Sequence, residues 1–254
     1  MYEAEVAFAR GLADAATDIG LSVFRGDVRV TIKADRTPVT QADIEIETMV
    51  RERVAAAFPD DRVLGEEMGG DAAAPGRVWI IDPIDATANF ARGIPIWGTL
   101  IALQVDGELV LGLANAPALD ERYEARRGGG AICNDESIHV SDVAAIPEAQ
   151  LLFSGVGPWI RSPRDKGVLG VLAEAKRTRG FGDFWAHMLV ARGAAEATME
   201  PELAIWDYAA LAVIVQEAGG RMTTLEGGPV HHGGSVLTSN GSIHDELVRR
   251  FAGS

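Results

Sequence analysis

Residues Trp79–Thr87 read WIIDPIDAT, a short apolar run that ends in two carboxylates three positions apart. The run Val78–Ile81 has the length and composition of a buried β-strand. Pro83 fixes the backbone between Asp82 and Asp85. Charged groups at the end of a buried strand are costly unless water, an opposite charge or a metal ion compensates them. The segment contains no Lys or Arg, so it predicts either a metal-binding turn or a solvated strand end.

Three further acidic positions are candidates for the same site. Glu66 and Glu67 lie on a loop after a short apolar run, Asp207 opens a helix, and Asp43 follows Thr40 by three residues. Their structural alternatives are a solvated loop, a helix N-cap and a capping box, respectively. Adjacent side chains of an extended chain point in opposite directions, so we expect one of the two glutamates to face solvent. Carboxylates are preferred ligands of Mg²⁺.

The wider pattern predicts a layered α+β fold. Apolar residues at three- and four-residue steps predict helices at 3–24, 42–57 and 207–218. Strand-like runs are grouped between the second and third of these helices, with Asp106-Gly107 as a hairpin turn. Periodicity fades around Pro147, which predicts a boundary between an N-terminal half, 1–145, and a C-terminal half, 146–254.

Composition excludes several classes of protein. The 254 residues carry 37 Asp and Glu against 23 Lys and Arg, a formal charge of −14, which argues against nucleic acid or an anionic membrane as partner. The single cysteine, Cys133, excludes an internal disulfide and a multi-cysteine metal site. Without a signal-like N-terminus or an apolar run of about 18 residues, the expected location is the cytoplasm.

Taken together, the motifs resemble the inositol monophosphatase family, in order and over nearly the whole chain. They are Gly65-Glu66-Glu67, Asp82-Pro83-Ile84-Asp85-x-Thr87-x-Asn89-Phe90, and Trp206-Asp207-x-x-Ala210 followed by Glu217-Ala218-Gly219-Gly220. The resemblance implies an αβαβα sandwich of the type shared with fructose-1,6-bisphosphatase. It also implies a homodimer and a phosphomonoesterase that uses two or three Mg²⁺ ions, with Mn²⁺ as an alternative.

The resemblance also implies a role for each site residue. The implied metal ligands are Glu66, Asp82, the Ile84 carbonyl, Asp85 and Asp207. The implied catalytic residues, which orient and activate the attacking water, are Glu66, Thr87 and Asp43. The implied phosphate donors are the backbone N–H groups of Ala86 and Thr87. The implied substrate contacts are Asp183, Glu200 and Asp207. Without bound cations, so many carboxylates would repel a phosphate ester.

Within the family, the segment Arg179–Trp185, RGFGDFW, is most similar to the histidinol-phosphate phosphatase branch. Histidinol phosphate carries an ammonium and an imidazole that Asp183 and Glu200 could bind, whereas inositol offers only hydroxyls. The hypothesis is therefore hydrolysis of histidinol phosphate in histidine biosynthesis. The alternatives are a phosphatase of inositol 1-phosphate or another sugar or polyol phosphate, and a non-catalytic metal- or phosphate-binding protein.

Two residues depart from the family pattern. Most members have glycine where this chain has Ala86, and often Lys or Thr where it has Ala88. An alanine at position 86 is harmless if its φ is negative. If φ is positive, the alanine costs roughly 1 kcal/mol and shifts the N–H that would hold phosphate.

Overall fold

A computed structural model describes residues 1–26, 28–33, 37–71, 73, 75–160 and 165–252 of the chain. Its helices are α1 Glu3–Val23, α2 Gln41–Ala57, α3 Thr87–Ala91, α4 Val156–Ile160, α5 Asp165–Glu174, α6 Asp183–Ala191, α7 Ile205–Glu217 and α8 His244–Ala252, with a 3₁₀ turn at Ile146–Glu148. Its strands are β1 Val30–Ile32, β2 Pro38–Thr40, β3 Arg62–Gly65, β4 Arg77–Asp85, β5 Gly98–Val105, β6 Glu108–Ala116, β7 Glu121–Arg126, β8 Ala131–Cys133, β9 Glu136–Ile138, β10 Gln150–Phe153, β11 Arg177–Arg179, β12 Ala197–Leu203, β13 Arg221–Thr223 and β14 Gly234–Ser239.

Two larger sheets organise these strands. The seven strands β3 to β9 pair in chain order, with β3 and β4 parallel and all later neighbours antiparallel. The second sheet has the order β11-β10-β12-β14-β13, in which β10 is parallel to both of its neighbours. Strands β1 and β2 form a separate antiparallel hairpin.

The helices cover these sheets in three layers. Helices α1 and α2 pack on one face of the seven-stranded sheet around Trp79 and Ile101, and α6 and α7 pack between the two sheets. Helices α5 and α8 cover the outer face of the five-stranded sheet. The result confirms the predicted αβαβα sandwich, because each sheet hides an apolar face on both sides.

Helix α7 lies very close to the seven-stranded sheet, at Gly112 on β6. A Cβ atom on Gly112 would lie 2.2 Å from the Ala210 carbonyl oxygen of α7. Only glycine allows this approach. The contact fixes the start of α7, and therefore Asp207, relative to the sheet that carries Asp82 and Asp85.

The division into two halves, 1–145 and 146–254, remains a prediction. Every strand of the seven-stranded sheet ends by Ile138, and every strand of the second sheet begins at or after Gln150. Helices α6 and α7 nevertheless pack against the first sheet. None of the described helices is both long enough and apolar enough to cross a membrane.

Candidate active site

Nine of the ten predicted site residues line one cavity of about 550 Å³. They are Glu66, Asp82, Ile84, Asp85, Ala86, Thr87, Asp183, Glu200 and Asp207. The tenth, Asp43, lies behind the wall, where its Oδ1 accepts a long hydrogen bond of 3.5 Å from the Thr87 hydroxyl. The cavity opens where β4, α6, β12 and α7 meet, so both sheets contribute to it.

A cluster of three carboxylates forms its floor. One oxygen from each of Asp82, Asp85 and Asp207 lies within 4.8 Å of the other two. Asp82 and Asp85 are buried, and Oδ1 of Asp82 has no hydrogen-bond partner among the described residues. Burial and the neighbouring acids raise the pKa of both groups well above the usual range. Burial raises the pKa of Asp207 to about 7. These carboxylates lack a compensating cation, and their oxygens fit a hard divalent ion.

The geometry of β4 brings its two acids to the same site. In a regular strand, residues three apart point to opposite faces. The pairing of β4 with β5 is irregular between Asp82 and Asp85, where Pro83 lies, and such an irregularity re-aims side chains. Asp85 is then held in place because its Oδ2 accepts the Phe184 N–H of α6 at 2.9 Å.

The start of α7 fixes Asp207. Its Oδ2 accepts the Ala204 N–H at 2.7 Å, and its own N–H donates to the Ala204 carbonyl at 3.2 Å. The simple N-cap alternative for Asp207 is therefore wrong, because Ala204 is the N-cap and Asp207 is the third residue of the helix. The sequence placed the start of this helix two residues late. The carboxylate satisfies an otherwise unpaired N–H and keeps its second oxygen for the cavity.

The Glu66–Glu67 turn differs from the expectation. Nζ of Lys33 lies 2.7 Å from Oε1 of Glu66 and 3.0 Å from Oε1 of Glu67. The expectation that one glutamate faces solvent is wrong, since the Glu67 side chain is only 3% exposed. The Lys33 pKa is raised, because the two hydrogen bonds outweigh partial burial. No motif marks Lys33, so only the hairpin of β1 and β2 reveals this contact.

Asp43 and Thr87 form a buried hydrogen-bonded chain. Oδ2 of Asp43 accepts both the N–H and the hydroxyl of Thr40, at 2.8 and 2.5 Å, which confirms the capping box. The Thr87 hydroxyl donates to the Ile84 carbonyl at 2.9 Å. Burial raises the pKa of Asp43 to about 6. Thr87 is thus held between a predicted metal ligand and a predicted catalytic acid.

Ala86 has a left-handed backbone. Its φ and ψ are 65° and 45°, and it precedes the first residue of α3. This is the strained case considered from the sequence, in which alanine costs roughly 1 kcal/mol relative to glycine. The cost falls on the peptide whose N–H is expected to hold phosphate.

The other wall of the cavity is also acidic. Burial raises the pKa of Glu200 to about 8, although a hydrogen bond with Ser154 opposes the shift. Asp183 reaches solvent at the mouth, where desolvation by the walls raises its pKa. Glu202, which the sequence did not single out, lines the same wall. In total the cavity has seven lining carboxylates and, within the described part of the chain, no lining Lys or Arg.

His187 closes the inner end of this wall, as the pocket-wall interpretation expected. It is fully buried on α6, and its Nδ1 lies 2.8 Å from the Thr238 hydroxyl oxygen. Its Nε2 has no partner among the described residues. Burial lowers the pKa of the imidazole to about 3, so the ring is neutral. It adds no positive charge to the cavity.

Comparisons with known proteins agree with this architecture. The chain is 42% identical to a histidinol-phosphatase of Mycobacterium tuberculosis, over 99% of both chains, and 42% identical to one of Streptomyces coelicolor, over 97% of this chain and 96% of the relative. A solved IMPase of Thermotoga maritima superposes with a TM-score of 0.88, at 30% identity, over 98% of this chain and 97% of that structure.

The fold, the acidic cavity and these relatives define a phosphoric monoester hydrolase. The model of the inositol monophosphatase family matches residues 1–253. The chain belongs to that family, which confirms the resemblance found in the sequence.

Proposed function

We propose that this protein hydrolyses histidinol phosphate to histidinol and phosphate, using Mg²⁺. The observation that carries the substrate is the second wall of the cavity, where Asp183, Glu200 and Glu202 meet with no Lys or Arg among the described lining residues. Such a wall suits the ammonium and imidazole of histidinol and offers less to an uncharged polyol. The 42% identity to two histidinol-phosphatases supports the same choice.

The floor of the cavity fits a divalent cation. Asp82, Asp85 and Asp207 offer oxygens close together, and the unpartnered Oδ1 of Asp82 needs a positive partner. Glu66 and the Ile84 carbonyl complete the proposed set. Bound Mg²⁺ supplies positive charge that offsets the charge of the phosphate and of the leaving oxygen. Lys33 pairs with Glu66 in this structure, so it holds the carboxylate that the metal would take.

The chain's own groups then activate the attacking water. We assign the general base to Glu66, whose side chain is partly exposed to the cavity. The Thr87 hydroxyl orients the water and relays its proton, and Asp43 holds Thr87 in place from behind. The N–H groups of Ala86 and Thr87 donate to phosphate oxygens.

The substrate's organic part lies against Asp183, Glu200 and Asp207. In the cavity without substrate, the Glu200 pKa is raised to about 8 by burial. A cationic substrate favours the ionised carboxylate, because an opposite charge stabilises the charged form. Binding of histidinol phosphate therefore includes ionisation of this buried acid.

The test compares Asp183→Asn with the wild type on histidinol phosphate and on inositol 1-phosphate, by release of inorganic phosphate. We expect the variant to lose at least about tenfold in kcat/KM on the cationic substrate, since a charge-assisted contact is lost. Activity on inositol 1-phosphate should change little.

Asp82→Asn is the companion variant, and it should lose activity on every phosphate ester. A wild type that prefers inositol 1-phosphate supports the polyol-phosphate alternative. A wild type that binds Mg²⁺ and phosphate esters without turnover supports the non-catalytic alternative.

Three further features of the proposal come from the family resemblance: Mg²⁺ in preference to Mn²⁺, a homodimer and a cytoplasmic location. Activity against metal concentration checks the first feature, and light scattering of the purified protein checks the second. Fractionation of the source cells checks the third.

A further inference from the structure

A fully buried carboxylate, Glu47, lies beneath the turn that carries Glu66. Its side chain has no exposed surface. Oε2 of Glu47 accepts the backbone N–H of Glu67 at 2.8 Å, and Oε1 accepts the N–H of Met68 at 3.1 Å. The two peptides that directly follow Glu66 are therefore both tied to one side chain of α2.

Arg51, one helical turn later on α2, completes this contact. Its Nε and Nη2 donate to Oε1 of Glu47 at 2.9 and 2.7 Å. The same guanidinium donates to the carbonyl of Gly69 at 2.5 Å and to that of Val63 at 3.3 Å. The pair Glu47–Arg51 thus holds the chain on both sides of Glu66.

Gly65 shows how tightly the turn closes over this pair. A Cβ atom at Gly65 would lie 2.2 Å from the Glu47 carboxyl carbon, so no larger residue fits there. On its other side, the N–H of Glu66 donates to the Ile81 carbonyl of β4 at 3.3 Å. Glu66 is therefore fixed between α2 and the strand that ends in Asp82.

We propose that Glu47 and Arg51 are positioning residues that set the Glu66 carboxylate against the Asp82 cluster. This inference rests on the proposed function, because it assumes that Glu66 is a metal ligand. Neither residue lines the cavity or touches the substrate. A buried ion pair adds little net stability compared with apolar packing. Its contribution here is the fixed backbone of the turn, and partners of this kind tune metal sites.

The chain offers a matched control in Asp61. This carboxylate is 5% exposed, accepts Arg77 through Nε at 2.9 Å and accepts the Trp79 indole N–H at 2.9 Å. It has the same chemistry as Glu47, a nearly buried acid with an arginine and a second donor. It does not line the cavity.

The experiment measures Mg²⁺ binding by calorimetry without substrate, in the wild type, Glu47→Gln, Arg51→Lys and Asp61→Asn. Glutamine presents one N–H₂ donor where Glu47 has an acceptor, so one turn contact is lost. We expect Glu47→Gln to weaken Mg²⁺ binding about tenfold or more, the usual effect of an outer partner. Arg51→Lys keeps the charge and one contact, and should lie between the two. Asp61→Asn should lower the melting temperature and leave Mg²⁺ binding unchanged.

The outcomes separate this inference from the proposed function. Unchanged Mg²⁺ binding in Glu47→Gln and Arg51→Lys overturns the inference alone, and so does an equal loss in Asp61→Asn. If the wild type binds no Mg²⁺, both proposals fail. A failure of the histidinol phosphate assignment leaves the calorimetric result untouched. If Glu47→Gln does not fold, Arg51→Lys decides the question.

Discussion

At the scale of single residues, Ala86 shows how a local backbone angle enters the chemistry. Its φ of 65° lies where glycine is unstrained and alanine is not. We predict that Ala86→Gly raises the free energy of unfolding by about 1 kcal/mol. Urea unfolding measures this change. Relief of the strain also lets the N–H that faces the phosphate adjust, so phosphate release should not fall.

Ala88 is the matched control for that substitution. It lies in α3 with an ordinary helical backbone and is exposed. Ala88→Gly should lower stability by up to about 1 kcal/mol, the usual cost of glycine in a helix. A loss of similar size in both variants would contradict the strain argument.

The residue scale also shows how far the sequence predicts the site. Asp82, Asp85 and Asp207 were found because each lies in a recognisable motif at an element boundary. Lys33 was not, because an isolated lysine in a short hairpin has no pattern that reveals its partner. Glu202 was missed for the same reason. The sign of φ at Ala86 depends on the packed turn and could only be posed as a condition.

At the scale of elements, the approach of α7 to β6 determines where Asp207 lies. A Cβ at Gly112 would meet the Ala210 carbonyl oxygen. Gly112→Ala should push the helix outward and cost about 1 to 3 kcal/mol of stability, typical of overpacking. Because Asp207 lies on the first turn of that helix, Mg²⁺ binding should weaken as well. Urea unfolding and calorimetry measure the two effects.

Gly11 serves as the control, because a Cβ there would have no neighbour within 4 Å. It lies inside α1, so Gly11→Ala should keep or raise stability. Its Mg²⁺ binding should equal that of the wild type. Equal stability of Gly112→Ala and the wild type would mean that α7 is not held by this contact.

Elements were easier to predict than their arrangement. Helices α1, α2 and α7 follow from apolar residues at three- and four-residue steps, with ends within two residues of those observed. The hairpin at Asp106 and Gly107 is present, with positive φ at both. The crossed order of the second sheet had no local signal, since β10, β12 and β14 pair across long stretches of chain.

At the scale of the whole molecule, the buried acids make stability depend on pH. Burial raises the pKa of Asp43, Asp207 and Glu200 to about 6, 7 and 8. A folded-state pKa above the unfolded value means that the folded protein binds more protons. The stabilisation is complete below the ordinary carboxylate pKa and is lost as pH rises through the folded value. The metal-free protein should therefore lose stability between pH about 4 and about 8.

Melting temperatures across this range, with a chelator and with Mg²⁺, test the dependence. Mg²⁺ should reduce the loss at the alkaline end, because a bound ion favours the ionised acids. Glu200→Gln should remove the part of the loss nearest pH 8. A metal-free melting temperature that rises steadily over the range would contradict the assignment of raised pKa values.

The layered fold also decides when the protein becomes able to work. Asp82 and Asp85 end a strand in the first third of the chain, whereas Asp207 arrives on α7, near its end. On the ribosome, a half-made chain presents the first two acids without the third. The cell therefore gains no phosphatase from an interrupted translation product, and the last helices to emerge are those that turn a folded sheet into an enzyme.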